Sequence, residues 1–145
     1  MNTYKHTQIG YLLITALGAG ILMAGYLIMV TSFNPVAFAA MVFLLICLGI
    51  FATLTVEVND QMLKIQFGFG VIHKVFALKE IESYRPVKNP WYYGWGIRFI
   101  GSGWLYNVSG TDAVELVMKN GKKVRVGTDD AEGPLQAVSV HLPKK

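Results

Sequence analysis

Two long apolar segments near the start of the chain constrain its fold more than any other feature. The 145-residue sequence has no Asp, Glu, Lys or Arg between Lys5 and Glu57, and only His6 in that interval titrates near neutral pH. Soluble domains carry about 25% charged residues, whereas this chain carries 15%. The deficit lies before Glu57, so roughly 90 residues remain for one small domain with a single core.

The apolar segments predict two transmembrane helices, about residues 9–33 and 36–56. As helices they would extend about 37 Å and about 31 Å, and the hydrocarbon core of a bilayer is about 30 Å thick. Asn34-Pro35 breaks the pattern, because proline lacks an N–H and restricts the residue before it. We therefore expect an antiparallel hairpin of helices. A cleaved signal peptide is the alternative, but its apolar part is normally only about 7–15 residues long.

The positive charges predict the orientation of this hairpin. One of the thirteen Lys and Arg residues, Lys5, precedes the first segment and the other twelve follow the second, whereas the turn at Asn34 has none. The positive-inside rule then places both termini in the cytoplasm. We expect a multi-pass protein of the cytoplasmic (inner) membrane, with residues 1–8 as a cytoplasmic tail and residues 55–145 as a cytoplasmic domain.

Small residues recur every four positions in the first segment, at Ala16, Gly20 and Ala24. Small side chains on one helix face let backbones approach closely in lipid. This face is expected to pack against the second helix or a neighbouring subunit. Neither segment carries an acid or a base, which disfavours a transporter or channel.

Alternation of apolar and polar residues predicts strands after the second segment. The expected strands are residues 54–58, 63–67, 71–78, 81–87, 97–100, 104–108, and a final hairpin around Asn120-Gly121. A helix should begin near Asp129 and Glu132, as in a capping box, or at Pro134. Leu135, Val138 and Leu142 would then face the sheet. The expected fold class is a two-helix transmembrane hairpin followed by an α+β domain of about seven antiparallel strands and one C-terminal helix.

Four short segments carry a resemblance to a known family. They are Leu63-Lys-Ile-Gln-Phe-Gly68, Leu78-Lys-Glu-Ile81, Gly94-Trp-Gly-Ile-Arg98 and Val126-Gly-Thr-Asp-Asp130. Their order and spacing, after two spans, resemble the bacterial pleckstrin-homology-like (PH-like) membrane proteins. The resemblance implies a bent, seven-stranded antiparallel sandwich with one open corner closed by the C-terminal helix. It implies no defined activity.

An aromatic segment between two of the predicted strands is the main candidate for a binding site. Residues 89–96 contain Trp91, Tyr92, Tyr93 and Trp95, and Arg98 follows as a candidate polar anchor. These rings could cap the open end of the sandwich and lie at the bilayer interface, where Trp and Tyr are common. They could instead bind a protein partner, because Trp and Tyr often anchor interfaces.

A basic cluster, Lys122, Lys123 and Arg125, follows the last predicted turn. Each basic residue near an anionic leaflet can add about 1 kcal/mol to lipid binding, although a solvated strand face explains the cluster equally well. Lipid-binding eukaryotic PH domains share a first hairpin that is rich in basic residues. Here that turn is Asn59-Asp60-Gln61, which argues against headgroup recognition there.

The sequence carries no recognisable catalytic or metal-binding motif. Cys47 is the single cysteine, and His6, His73 and His141 do not match the spacing of metal ligands. Asp129-Asp130 suits a helix start better than a paired-carboxylate site. We expect no enzyme activity, cofactor, metal, nucleic-acid partner or small-molecule substrate.

The sequence therefore favours a membrane-anchored PH-like adaptor that binds a protein partner or self-associates at the cytoplasmic membrane. The alternative is a peripheral sensor of anionic lipid that uses the basic cluster. An enzyme or transport-complex subunit is the third hypothesis.

Overall fold

The computed structural model describes residues 4–130, 132–140 and 142, which form an α+β fold with two apolar helices near its N-terminus. The helices are α1 (Tyr11–Val30), α2 (Pro35–Phe51) and α3 (Glu132–Ser139). The strands are β1 (Tyr4–Ile9), β2 (Thr53–Val58), β3 (Met62–Phe67), β4 (Ile72–Ala77), β5 (Ile81–Lys88), β6 (Gly96–Phe99), β7 (Gly103–Asn107), β8 (Asp112–Met118) and β9 (Lys123–Gly127). Short 3-10 turns lie at Leu78–Glu80 and Trp91–Tyr93.

α1 and α2 are joined by a short turn and pack against each other. The side chain of Asn34 accepts hydrogen bonds from the backbone N–H groups of Val36 at 2.9 Å and Ala37 at 3.3 Å. Pro35 occupies the first helical position, where its missing N–H costs nothing. The predicted Asn34-Pro35 break is therefore the start of the second helix.

Both helices are shorter than the apolar segments that predicted them. α1 has 20 residues and a mean hydropathy of 2.2, and within the described residues it is the one helix long and apolar enough to cross a membrane. α2 is apolar but has only 17 residues. The predicted bounds 9–33 and 36–56 are wrong at their ends, because Ile9 and residues 53–56 belong to strands.

The N-terminal segment is also corrected. Residues 1–8 were expected to be a tail, but residues 4–9 form β1, which pairs antiparallel with β2 from Tyr4 opposite Val58 to Ile9 opposite Thr53. The two helices are therefore inserted between two paired strands. Polar pairing supports β1: the hydroxyl groups of Thr7 and Thr55 lie 2.9 Å apart.

The strands form two sheets. The first has the order β1-β2-β3-β4 and is antiparallel, and the second has the order β5-β8-β9-β7-β6. The expectation of about seven antiparallel strands is corrected in two ways: the described residues contain nine strands, and β7 runs parallel to β9. β9 lies between β7 and β8 in this sheet, parallel to β7 and antiparallel to β8.

The core lies between the inner faces of the two sheets. Alternate residues of β2, β3, β8 and β9 point into it, among them Val56, Ile65, Leu116 and Val124. α3 covers one edge of the core with Val138, which is fully buried, while Leu135 and Leu142 pack against it as predicted. Pro86 lies in β5, an edge strand of the second sheet, which is the kind of strand that tolerates proline.

The turn between β3 and β4 rests against the C-terminal end of α2. A Cβ atom at Gly68 would overlap the carbonyl oxygens of Gly49 and Ile50, and Gly68 has a φ of +50°. The next residue, Phe69, packs its ring edge near Gly49 but remains 87% exposed. This turn therefore lies at the end of the helical hairpin nearest the sheets.

Candidate functional site

The predicted aromatic segment, residues 89–96 and hereafter the aromatic loop, is an ordered turn. The backbone N–H of Tyr93 donates to the Pro90 carbonyl oxygen at 3.1 Å, and that of Gly94 donates to Trp91 at 3.2 Å. Gly94 has a φ of +70°, a conformation that favours glycine. The conformation of the aromatic loop is therefore stabilised by its own backbone hydrogen bonds.

The aromatic loop lies on the outer face of the second sheet. The side-chain oxygen of Asn89 accepts a hydrogen bond from Arg125 Nη1 at 3.0 Å, and the Arg125 guanidinium lies 5.9 Å from the ring centroid of Tyr93. The indole N–H of Trp95 donates to the carbonyl oxygen of Gly110 at 3.1 Å. Arg125 points outward because its neighbours Val124 and Val126 are core residues.

The loop presents its four rings in two directions. Tyr93 and Trp95 are half-buried through the contacts just described. Trp91 is 77% exposed and Tyr92 is 66% exposed. The rings of Tyr92 and Tyr93 meet edge to face with centroids 5.3 Å apart. Two exposed aromatic side chains are thus held on a base formed by two others.

Arg98 supports this loop rather than standing apart from it. Its Nε donates to the carbonyl oxygen of Trp95 at 3.2 Å. Its guanidinium carbon lies 3.1 Å from the position that a Cβ atom of Gly94 would occupy. Arg98 is otherwise exposed, so it holds the loop from the protein surface.

A buried carboxylate lies beneath the loop. Glu115 is 1% exposed and receives hydrogen bonds on Oε1 from Arg85, at 2.7 and 3.0 Å, and on Oε2 from Arg125 Nε, at 2.8 Å. Burial alone would raise the pKa of Glu115, but the hydrogen bonds and charges of Arg125 and Arg85 outweigh burial and lower it. The three residues are direct cross-strand partners.

This ion-pair network was not predicted from the sequence. A two-residue turn at Asn120-Gly121 would place Leu116 opposite Arg125, but the observed register is shifted by one residue and pairs Glu115 with Arg125. Arg85 comes from a strand whose register the sequence does not determine.

The network divides the predicted basic cluster. Arg125 is held by Glu115 and Asn89, whereas Lys122 is exposed and Lys123 is half-buried at the β8–β9 turn. Along β9 this turn lies about 13 Å from Gly127. Gly127 packs against Asn107, and the adjacent Val108 packs against Gly10 at the base of the helices. The two lysines therefore lie at the strand end remote from Gly10.

The paired acids Asp129 and Asp130 attach the N-terminal strand to the start of α3. Asp129 contacts His6 Nε2, and Asp130 accepts a hydrogen bond from the Tyr4 hydroxyl at 3.4 Å. Burial, with the nearby charge of Asp130, raises the pKa of Tyr4 to about 12. Both acids thus have structural contacts, with Asp130 also accepting from the backbone N–H of Gly133.

The three small residues of α1 are placed differently. Ala24 is buried, and a Cβ atom at Gly20 would lie 3.1 Å from Leu44 Cδ1 of α2, so both face the partner helix. Ala16 is exposed. Gly20 and Ala24 are brought together with α2, and Ala16 is not.

Within the described residues, no cluster of three or more His, Cys, Asp or Glu side chains could hold a metal ion. Cys47 is a free, half-buried thiol in α2. His73 Nδ1 lies 3.2 Å from the carbonyl oxygen of Gly70, and His141 lies outside the described residues. The chain matches no protein-family model and no curated protein sequence.

Proposed function

We propose that the protein is a membrane-anchored binding module with a PH-like fold, which binds a protein partner or a second copy of itself through the aromatic loop. The observation that carries the proposal is the exposure of Trp91 and Tyr92 on a fixed base. Large aromatic side chains are common hot spots of protein interfaces. Because Tyr93, Trp95 and Arg98 already hold the loop, little ordering entropy opposes binding.

Two membrane spans with both termini in the cytoplasm fit the way the helices are attached. β1 and β2 pair up to Ile9 and Thr53, so both ends of the helical hairpin lie together. If α1 crosses a bilayer, α2 must return to the same side. A helix of 17 residues is at the short end of the range that spans a bilayer, about 17–25 residues. The twelve Lys and Arg after the helices then favour the cytoplasmic side.

The PH-like assignment rests on the element order. A four-stranded antiparallel sheet precedes a second sheet, and a C-terminal helix covers one edge of the core. Two features depart from the expected pattern: the helical hairpin is inserted after β1, and β7 is parallel to β9.

The adaptor is favoured over a peripheral lipid sensor by the contacts of the basic cluster. Arg125 is held in an ion pair with Glu115, which leaves Lys122 and Lys123 as the unpaired charges of the cluster within the described part of the chain. Those two lie at the strand end remote from Gly10, where the helices join the sheets. A surface that binds anionic lipid would place its basic residues nearer to the helical hairpin.

Native mass spectrometry of the full-length protein, extracted with its surrounding lipid, tests the adaptor function. We expect a defined stoichiometric complex with a protein or a second copy. Trp91→Ala combined with Tyr92→Ala should weaken this complex by roughly 30-fold or more, the equivalent of about 2 kcal/mol. Phe99→Ala, which truncates an exposed ring of β6 outside the loop, is the matched control and should leave the complex intact.

A complex that survives the double substitution would place the interface elsewhere. A monomer that carries only anionic lipid would overturn the adaptor function and favour the lipid sensor. Unchanged thermal unfolding of the double variant separates a lost interface from a lost fold.

A further inference from the structure

The two sheets diverge on the side opposite α3 and leave a groove between them. This inter-sheet groove has a volume of about 880 Å³, within the range of about 300–1,000 Å³ typical of small-molecule sites. Its apolar lining comes from β4, β6 and β7, and includes Ile72, Phe76, Ile97, Phe99, Trp104 and Tyr106. The groove is therefore separate from the aromatic loop, which lies on the outer face of the second sheet.

Several side chains in the groove belong to the inner faces of the sheets yet remain uncovered. Phe99 and Trp104 are opposite each other in the β6–β7 pair, and their rings meet edge to face at 5.6 Å. Tyr106, two residues after Trp104 on the same face, is a core residue. Phe99 is nevertheless 63% exposed and Trp104 is 48% exposed. These two rings lie on the inner face of the sheet, and no described residue covers them. They therefore offer a site for an apolar group.

Cations lie beside this apolar lining. Lys74 pairs with Ile65, a core residue, so both belong to the inner face of the first sheet. Lys122 and Lys123 line the groove from the β8–β9 turn, and Glu80 is the single acid in the lining. None of the three lysines forms an ion pair with a described residue. The groove thus carries a net positive charge next to apolar rings.

The groove also starts near the helical hairpin. Ile72, at one end of its lining on β4, directly follows the turn in which Gly68 and Phe69 contact the end of α2. Lys122 and Lys123 lie at the strand end remote from Gly10, as described above. A ligand with an apolar chain near Ile72 and an anionic head near Lys122 and Lys123 would satisfy both parts of the lining.

We propose that the inter-sheet groove binds a single-chain anionic amphiphile, a molecule with one alkyl chain and a carboxylate or phosphate head group. The alkyl chain packs on Phe76, Phe99 and Trp104, the head group pairs with Lys122 and Lys123, and Lys74 adds positive charge along the groove. This site is independent of the adaptor surface, because it uses neither Trp91 nor Tyr92. It assigns Lys122 and Lys123 to a groove rather than to the bilayer surface.

Photolabelling of the full-length protein in zwitterionic phosphatidylcholine nanodiscs tests the site. The probes are a diazirine-bearing C16 carboxylate, the corresponding lysophosphatidate and the matching neutral alcohol. We expect both anionic probes to label the peptide that contains Phe99 and Trp104, and the alcohol to label it at least tenfold less. Millimolar inorganic phosphate should compete only weakly with the anionic probes, because the alkyl chain contributes to their binding. Full competition by phosphate would mean that the site recognises the phosphate group alone and would contradict the amphiphile proposal.

Two independent variants relate the labelling to the groove. Lys74→Glu combined with Lys122→Glu should reduce anionic labelling at least tenfold, and Phe99→Asp should reduce labelling by all probes. Lys79→Glu is the matched control, since Lys79 is exposed and does not line this groove. All substituted side chains are exposed, so thermal unfolding should change little.

Labelling confined to α1 and α2, or equal labelling by the neutral alcohol, would overturn the proposal. So would full labelling of the double lysine variant. Loss of the protein complex in the Trp91 and Tyr92 variant, with groove labelling retained, would show that the two sites are separate.

Discussion

The backbone N–H of Gly10 donates a hydrogen bond to the carbonyl oxygen of Ala52 at 2.8 Å. This bond joins the residue after β1 to the residue before β2 and extends their ladder by one step. A Cβ atom at Gly10 would lie 3.0 Å from both Cβ and the carbonyl oxygen of Val108, so the second sheet also packs closely here. The helical hairpin is thus attached to both sheets at its base.

This attachment predicts the membrane topology. In a Cys47→Ser background, Lys5→Cys and Lys119→Cys should both react with an impermeant maleimide only when the cytoplasmic face is accessible. Phe33→Cys, in the turn between the helices, should react only from the opposite face. The three positions are exposed, so differences in labelling report the side of the membrane. Labelling of Phe33→Cys from the cytoplasmic face would contradict two spans.

The contact between Gly20 and Leu44 predicts a difference between two glycines of α1. Gly20→Val should destabilise the helix pair, because its Cβ would lie 3.1 Å from Leu44 Cδ1 and the Leu44 side chain must shift to admit the added methyl groups. The expected loss is about 1–3 kcal/mol. Gly18→Val is the matched control, since nothing lies within 4 Å of its Cβ position. Denaturant unfolding in detergent micelles measures both, and equal losses would show that α1 and α2 do not pack through Gly20.

The Glu115 network predicts a specific acid sensitivity. Because folding lowers the pKa of Glu115, its contribution to stability is present above the unfolded-state value of about 4.3 and is lost as pH falls through the lower, folded-state value. Glu115→Gln leaves Arg125 partly buried without its carboxylate, so we expect a loss of about 3 kcal/mol at pH 7. The variant should also lose less stability than the wild type below pH 4.

Asp112→Asn provides the control for this prediction. Asp112 lies on the same strand, but it is exposed. Thermal unfolding is measured from pH 3 to pH 7. The pH dependence of stability should differ little from the wild type in Asp112→Asn and strongly in Glu115→Gln. If the wild type and Glu115→Gln lose stability equally as the pH falls, the Glu115 network does not determine the acid sensitivity of the protein.

The sequence predicted correctly those elements that are determined by residues close together in the chain. The absence of charge between Lys5 and Glu57 indicated apolar helices, and Asn34-Pro35 marked the boundary between them. The Asn120-Gly121 turn, in which Gly121 has a φ of +86°, gave the last hairpin. In each case neighbouring residues alone supply the physical reason.

Features that depend on distant partners could not be predicted. β1 has no apolar alternation, and its polar residues are ordered by pairing with β2 beyond both helices. α2 ends at Phe51 because Thr53 onward is required by that same ladder, although the apolar sequence continues to Val56. The parallel pairing of β7 with β9 follows from strand order, and so does the pairing of β5 with β8, which brings Arg85 to Glu115.

The insertion of two helices between paired strands also determines the order in which the chain can be assembled. The ribosome makes β1 first, but its partner β2 emerges roughly 40 residues later, and closing so long a loop carries an entropic penalty. Packing of the two helices side by side brings the two ends together before the ladder forms. A chain in which the helices failed to pack would leave the edge of β2 unpaired, and such edges promote aggregation. Formation of the helical hairpin is thus a precondition for completing the first sheet.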